Sequence, residues 1–263
     1  MKLASANINV MIKACEKASK ILIRDFGEIE KLQVSLKGPG DFVTLSDKKA
    51  EDLLVKELSK ARPEYSILTE ESGEIKNGNG EFRWIIDPID GTINFLHGIP
   101  HFAISLALEE KGEITCGVIF DPIKNELFSA EKGRGSFLNN QRIRVSSRAK
   151  LKDSILFTGG PKYKSSKSEE IFKEYQKLSN TTFAPIRKYG SASLDMAYVA
   201  AGRCEGFWQR DLNYWDIAAG IIIVKEAGGF VVDFEGNNEY LKNKTLLATN
   251  SRIIKELLQL LKS

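Results

Sequence analysis

The chain has 263 residues, and its 38 Lys and Arg residues against 35 Asp and Glu residues give a formal net charge of +3. This near balance gives little support for nucleic-acid binding, and a composition that is 42% hydrophobic and 28% charged is typical of a folded protein. No segment has the ~18 consecutive apolar residues of a membrane span, and the charged N-terminus does not resemble a signal peptide, so we expect neither.

Helices and short strands follow one another in the first half of the chain. Apolar residues at helical spacing predict helices from Leu3 to Phe26 and from Ser46 to Ala61. Between them, LKGPGDFVTLSD is rich in Gly, Pro and Asp and predicts a turn-rich loop. Strands are predicted from Tyr65 to Thr69 and from Phe82 to Ile86, and the alternation from Ala103 to Val145 predicts an antiparallel meander.

After about residue 150 the pattern changes to alternating helices and strands. A strand from Ile155 to Thr158 precedes a polar, basic loop. The further helices are predicted at Glu169 to Leu178, Ser191 to Ala201, Trp215 to Ala227 and Ser251 to Leu261, and the further strands at Phe230 to Phe234 and Leu246 to Ala248. We therefore predict an α+β half, residues 1–146, with an antiparallel sheet, and an α/β half, residues 147–263.

The most specific motif is WIIDPIDGTINF, residues 84 to 95. An apolar strand leads to Asp87, Pro88 is expected to end that strand, and Asp90 follows, so that two carboxylates can share hard cations. Pro88 leaves the Ile89 carbonyl free to act as a further oxygen ligand, and the N–H groups of Gly91 and Thr92 can hold a phosphate at a helix start. Asp-Pro and Asp-Gly also occur in ordinary turns, but all five specified positions of DPxDGT arise by chance in roughly one chain in ten thousand.

Two further acidic clusters flank this motif. Glu70 and Glu71 follow a short apolar strand in ILTEESG, where a solvated loop charge is the alternative. Asp216 stands at the start of the apolar helix in NYWDIAAGIIIVKEAGG, where an N-cap aspartate is the alternative. Each alternative is strong when its cluster is considered in isolation.

DPIDGT, the preceding TEES and the later WDIAAG, in this order, resemble the inositol monophosphatase family, which also includes fructose-1,6-bisphosphatases, phosphoadenosine-phosphate phosphatases and histidinol-phosphate phosphatases. KGRGSFLNNQRIRVS and KYGSASLDMAYVAAGR extend the resemblance over nearly the whole chain. The resemblance implies an α+β fold, a layered α-β-α-β-α sandwich, that is often dimeric. It also implies Mg²⁺ dependence and sensitivity to lithium.

Matching the family motif residue by residue implies roles for individual side chains. The first Mg²⁺ would bind Glu70, Asp87 and the Ile89 carbonyl, and the second would bind Asp87, Asp90 and Asp216, with a weaker third ion near Glu70. Thr92 would help orient the attacking water, with Asp47 behind it, so Glu70, Thr92 and Asp47 form the expected catalytic group. The residues expected to bind the substrate are Gly91, Thr92, Gly190, Ser191, Ala192, Gln209 and Asp216.

The chain's own chemistry agrees with metal-assisted hydrolysis. No Ser/His or Cys/His nucleophile motif is evident, and the two histidines, His97 and His101, lie in a Gly/Pro loop where we expect a structural role. Carboxylates with Mg²⁺ can neutralise a phosphate, activate water and stabilise the leaving oxygen without a covalent intermediate. Lys37 in the early loop is either an aid to metal or phosphate binding or a plain surface lysine.

We therefore expect a phosphatase for a small phosphate monoester, in the first place inositol monophosphate, working as a homodimer. The alternatives are another phosphorylated substrate, such as phosphoadenosine phosphate, fructose 1,6-bisphosphate or histidinol phosphate, or a binding protein associated with RNA or the transcription machinery. For the binding protein the sequence offers only scattered lysines from Lys162 to Lys167. Three widely spaced cysteines, without disulfide or metal spacing, indicate buried reduced thiols and a cytoplasmic protein.

One position departs from the family pattern. Many inositol-phosphate phosphatases carry a glutamate seven residues before the aspartate of the WD pair, and here that position is Gln209. A carboxylate accepts hydrogen bonds from two hydroxyl donors, whereas a carboxamide offers one carbonyl acceptor. We expect altered selection of the alcohol part of the substrate; the alternative is that Gln209 faces away from the site.

Overall fold

The structure is a computed structural model that describes residues 5–28, 34–38, 41–161 and 164–262, with side chains for all of these except 34–38 and 41–44. Its helices are α1 (Ala6–Phe26), α2 (Leu45–Ala61), α3 (Thr92–Leu96), α4 (Ser168–Ser179), α5 (Ala192–Ala200), α6 (Tyr214–Glu226), α7 (Tyr240–Asn243) and α8 (Ile254–Lys262). Its strands are β1 (Val34–Gly38), β2 (Asp41–Thr44), β3 (Ser66–Thr69), β4 (Gly73–Ile75), β5 (Phe82–Asp90), β6 (Ala103–Glu110), β7 (Glu113–Asp121), β8 (Glu126–Glu131), β9 (Gly135–Leu138), β10 (Gln141–Ile143), β11 (Leu156–Thr158), β12 (Gly206–Arg210), β13 (Phe230–Val232) and β14 (Thr245–Thr249).

Two sheets carry most of the strands. The larger has the order β10-β9-β8-β7-β6-β5-β3-β4 and is antiparallel except for the β3–β5 pair. The smaller has the order β11-β12-β14-β13 and is antiparallel except for the β11–β12 pair. The larger sheet lies within residues 66–143 and the smaller within 156–249, on either side of the expected division at residue 146, although that division into halves stays a prediction.

Five layers result from the way helices cover these sheets. Successive side chains along the strands of the larger sheet point to opposite faces. One face packs on α1 and α2 and the other on α5 and α6. The smaller sheet covers the opposite side of α5 and α6, and its outer face packs on α8 and α4. The expected α-β-α-β-α sandwich is confirmed.

Small residues on the larger sheet let α6 approach it closely. A methyl group built at Gly117 would lie 2.5 Å from Cγ2 of Ile222 and 2.8 Å from the carbonyl oxygen of Ala219. Ala103 and Ala107 are buried on the same face of the sheet. The apolar run of α6 therefore reflects burial between two sheets rather than an amphipathic surface helix.

Three local predictions were wrong. The segment predicted as a loop before α2 contains the β1–β2 hairpin, because Phe42, Val43 and Thr44 pair with β1; residues 39–40 lie outside the described part. Strand β12 and helix α7 were not predicted, since five and four residues give too short a periodic signal.

In the described residues no helix is long and apolar enough to cross a membrane.

Candidate active site

A β-bulge places the two aspartates of the DPIDGT motif. Asp87 pairs with Ser105 and Asp90 with Ala103, so three steps along β5 match two along β6. Proline has no N–H to give to the ladder, and the extra residue is accommodated there. The expectation that Pro88 ends the strand was wrong, because the ladder resumes at Asp90. The Asp87 carboxylate folds back over the bulge and accepts a hydrogen bond from the N–H of Ile89 at 3.0 Å.

The chain then turns sharply into α3. Gly91 has a φ of +102°, and a methyl group at this position would lie 3.2 Å from the carbonyl oxygens of Gly190 and His101. Glycine is therefore required here both by backbone conformation and by close approach. The same contact brings Gly190, an expected substrate residue 99 positions later in the sequence, next to the start of α3.

The hydroxyl of Thr92 lies between two acceptors. Its Oγ1 is 3.0 Å from the carbonyl oxygen of Ile89 and 3.3 Å from Oδ1 of Asp47. One proton can serve only one acceptor at a time. Asp47 comes from the first turn of α2 and is only 1% exposed. The structure thus brings together Thr92, Asp47 and Ile89, while the catalytic role expected for Thr92 and Asp47 stays a prediction.

Asp90 is held by the N-terminus of α5. Its Oδ2 accepts from the hydroxyls of Ser191 at 2.6 Å and Ser193 at 2.5 Å and from the N–H of Ser193 at 2.7 Å, while Oδ1 accepts from the N–H of Ala192 at 3.3 Å. A carboxylate is favoured at a helix N-terminus. Ser191 and Ala192, expected to line the substrate site, therefore bind Asp90 in this structure.

Asp216 lies in the first turn of α6. Its Oδ2 accepts a hydrogen bond of 2.7 Å from the N–H of Asn213, the N-cap residue. The alternative of an N-cap aspartate was wrong by three positions: Asp216 is the N3 residue of a capping box. The side chain is partly exposed.

Glu70 joins the group through the larger sheet. Its N–H donates to the carbonyl oxygen of Ile86 at 3.2 Å, one step beyond the β3–β5 ladder. Burial raises the pKa of Asp87 well above its ordinary value, and the neighbouring charges of Glu70, Asp90 and Asp216 raise it further, as does a hydrogen bond with Glu70. The carboxylates of Glu70, Asp90 and Asp216 therefore all lie close enough to Asp87 to act on its charge.

The chemistry of this donor set fits a hard cation. Asp87 and Asp90 are buried, and neither forms an ion pair with a Lys or Arg in the described part of the chain. Buried like charges without a counter-charge are unfavourable, and oxygen ligands suit Mg²⁺, Mn²⁺ or Ca²⁺. Yet no three His, Cys, Asp or Glu side chains of residues 5–28, 45–161 and 164–262 form a ready metal-binding group. Asp90 faces α5 and Asp216 faces its own cap, so the ligand assignment of Glu70, Asp87, Ile89, Asp90 and Asp216 stays a prediction.

The smaller sheet supplies the remaining expected residue. Gln209 lies near the end of β12 and is partly exposed. Thr158, at the end of the neighbouring β11, donates its N–H to the carbonyl oxygen of Arg187 at 3.0 Å. This bond ties the end of the smaller sheet to the segment that leads to Gly190 and Ser191.

Two residues of the site were not singled out in the sequence. Asn94 donates to the carbonyl oxygens of His101 at 2.7 Å and Tyr189 at 2.6 Å, which fixes α3 against both adjoining segments. Ser193 holds Asp90. Asn94 lies inside the DPIDGTINF string, which is a usable signal, whereas Ser193 has no local signal because its partner is 103 residues away. The side chain of Lys37 lies outside the described part.

The sequence and the fold both match known proteins over nearly their whole length. The family model described as the inositol monophosphatase family matches residues 4–262. An inositol-1-monophosphatase of Rhizobium meliloti is 51% identical over 253 residues, covering 96% of this chain and 95% of that protein. A Nus factor SuhB of Escherichia coli K12 is 41% identical over 254 residues, covering 95% and 94%. The crystal structure of the extragenic suppressor protein suhB from Bartonella henselae superposes with a TM-score of 0.95 at 49% identity, covering 98% of this chain and 99% of that one.

The layered fold and the cluster of acids define a metal-dependent phosphatase. More closely, the chain belongs to the inositol monophosphatase family. The resemblance inferred from the three acidic motifs is thereby confirmed.

Proposed function

We propose that the chain hydrolyses inositol monophosphates in a Mg²⁺-dependent reaction. The convergence of Glu70, Asp87, Asp90 and Asp216 carries this proposal, because four acids from distant segments concentrate negative charge at one place. These side chains and the Ile89 carbonyl would hold the ions. Bound Mg²⁺ would neutralise the phosphate, lower the pKa of a water and stabilise the leaving oxygen.

Thr92 and Asp47 orient the attacking water in this proposal. When Thr92 donates its proton to Asp47, its oxygen lone pairs are free to accept a hydrogen bond from water. The water oxygen forms a bond to phosphorus as the bond from phosphorus to the alcohol oxygen breaks. The attacking water loses a proton and the alcohol oxygen gains one from solvent, which leaves free alcohol and inorganic phosphate.

The decisive experiment compares two Asp→Asn variants. Asp87→Asn should lose most of the phosphate release from inositol 1-phosphate and weaken Mg²⁺ binding measured by calorimetry, since a shared ligand loses its charge. Asp52→Asn, an exposed position on α2, is the matched control and should behave as wild type. Near wild-type turnover by folded Asp87→Asn would contradict the two-metal assignment.

Gln209 bears on the choice of alcohol. If it contacts substrate hydroxyls equally in the ground and transition states, Gln209→Glu should lower KM for inositol 1-phosphate and leave kcat nearly unchanged. A hydrogen bond to a charged group is worth roughly 1.5–3 kcal/mol, or about ten- to a hundredfold in KM. An unchanged KM would remove Gln209 from the substrate contacts. The same assay with phosphoadenosine phosphate, fructose 1,6-bisphosphate and histidinol phosphate tests the other substrates.

A second candidate is a binding role in the transcription machinery. The relative named Nus factor SuhB favours it, and so do the exposed Lys13 and Lys20 on α1, although Lys17 and Arg24 on the same helix are paired with Glu57 and Asp25. Among the scattered lysines from Lys162 to Lys167, Lys167 forms an ion pair with Asp211 at 3.2 Å, and Lys162 lies outside the described part. Association with transcription factors that survives in phosphatase-inactive Asp87→Asn would support this role.

Assembly and location are part of the proposal. A homodimer is expected from the family, and light scattering on the purified chain measures it directly. A cytoplasmic location is supported by the three cysteines, all of which are buried and unpaired.

A further inference from the structure

The ends of β11 and β12 meet beside the site. Thr158 pairs with Trp208 in the parallel register, and its hydroxyl donates to the carbonyl oxygen of Trp208 at 2.7 Å. The next residues along the two strands are Gly159 and Gln209. These two residues therefore face each other where the ordered pairing of the smaller sheet ends.

The carboxamide of Gln209 occupies the space that a side chain at residue 159 would fill. A methyl group built at Gly159 would lie 2.2 Å from Oε1, 2.3 Å from Cδ and 2.6 Å from Nε2 of Gln209. Real Cβ atoms essentially never come within 3.0 Å of another heavy atom. The neighbouring Gly160 differs completely, because a methyl group there would meet nothing within 4 Å.

Packing rather than hydrogen bonding holds the carboxamide. The side chain of Gln209 makes no hydrogen bond within residues 45–161 and 164–262, and it is only partly exposed. Both its carbonyl oxygen and its amide group are therefore available to a ligand while the flat face of the carboxamide lies against Gly159.

We propose that Gly159 is a positioning residue that sets the specificity of the site for the alcohol part of the substrate, by fixing the carboxamide of Gln209. This inference rests on the proposed function. The Thr158–Arg187 bond ties the same strand end to the segment carrying Ser191, which binds Asp90 at 2.6 Å. The position of the carboxamide is thereby defined relative to the acidic cluster. A methyl group at residue 159 must push the carboxamide away by about 1 Å or more, enough to spoil hydrogen-bond geometry to a hydroxyl.

Gly159→Ala and Gly160→Ala form a matched pair. Neither residue has a backbone conformation in the left-handed region, so alanine is compatible with both, and the atoms in the way at 159 belong to the end of a flexible side chain. We expect Gly159→Ala to raise KM for inositol 1-phosphate about three- to tenfold and to leave kcat within about twofold, while Gly160→Ala matches wild type. In the Gln209→Ala background, Gly159→Ala should have no further effect on KM.

Two results would overturn this inference while leaving the proposed function intact, provided that wild type hydrolyses inositol 1-phosphate. The first is a KM for Gly159→Ala equal to that of wild type. The second is that Gly159→Ala raises KM by the same factor in the Gln209→Ala background as in wild type. Failure of wild type to release phosphate from every tested ester would instead overturn the proposed function. A readout without substrate is the side-chain amide resonance of Gln209, assigned with Gln209→Ala. It should shift in Gly159→Ala and stay in place in Gly160→Ala; the absence of a shift in Gly159→Ala would contradict the packing on which the inference rests.

Discussion

The buried His101 should make the protein lose stability in mild acid. Its ring lies 5.1 Å from that of Tyr189 and 5.8 Å from that of Tyr198, centroid to centroid, and the residue is 8% exposed. Nδ1 lies 3.3 Å from Nζ of Lys124. Because an ammonium group only donates, Nδ1 must be the acceptor, and the ring proton belongs on Nε2, which is buried without a partner in the described part. A second proton on Nδ1 would point at the ammonium.

The size of the effect follows from the pKa. The pKa of His101 is lowered from 6.5 to about 4, chiefly by burial and also by the charge of Lys124, while Asp121 and Glu126 oppose the change. Between these two values the unfolded chain binds a proton that the folded chain does not. The free energy of unfolding therefore falls as the pH drops below 6.5, and the loss is complete near pH 4. At 1.36 kcal/mol per pKa unit, the full loss is about 3 kcal/mol.

Urea unfolding of wild type and His101→Gln at a series of pH values between 7 and 4 measures this loss. Carboxylates titrate in both proteins, so the difference between the two curves isolates the histidine. We expect wild type to lose about 3 kcal/mol more than His101→Gln on going from neutral pH to pH 4. The chain has only two histidines, so NMR gives an independent check, with His97→Gln providing the assignment. Titration of His101 at or above its ordinary pKa, or parallel stability curves, would refute the reasoning.

Two further predictions concern the site. If the proposed second ion site near Asp90 and Asp216 holds Mg²⁺ more loosely than the first, lithium at millimolar concentration should inhibit phosphate release at subsaturating Mg²⁺, and unchanged rates would argue against this. Ser193→Ala should lower the free energy of unfolding by about 1.5–3 kcal/mol, because buried Asp90 loses a charge-assisted hydrogen bond. Ser136→Ala is the control, since its buried hydroxyl has no partner in the described part, and urea unfolding should show a change of less than about 1 kcal/mol; equal losses in both variants would contradict the role of Ser193.

Elements with a strong local signal could be predicted from the sequence. The first residues of helices α2 and α6 and of strand β5 were predicted within one residue, since apolar period and turn residues agree there, whereas the end of β5 that carries the site was placed too early. The β1–β2 hairpin was missed because the Gly and Pro residues in the sequence of this segment outweighed the few strand-forming residues beside them. Strand β12 is defined mainly by its neighbours in the sheet, which are distant in sequence.

The identity of the site residues was accessible to motif reasoning, but their orientation was not. The DPIDGT string indicates that Asp90 belongs to an acidic site, yet only the folded chain shows that the Ser191 and Ser193 hydroxyls hold this carboxylate. The packing of Gln209 on Gly159 is of the same kind, because it depends on strand register between segments 50 residues apart. Sequence spacing carries no information on such contacts.

The distance between the acids depends on packing well away from the chemistry. Asp216 lies in the first turn of α6, and α6 packs on the larger sheet, which carries Asp87. The separation of the two carboxylates therefore follows the distance between α6 and this sheet. Gly117 sets that separation, since any side chain there would meet the carbonyl oxygen of Ala219 at 2.8 Å, one turn along the helix from Asp216. Interiors are close-packed and yield little, so a larger residue at 117 would move the helix and not merely a side chain. A glycine in an antiparallel strand thus helps to bring Asp87 on β5 and Asp216 on α6 close together, as the proposed metal site requires.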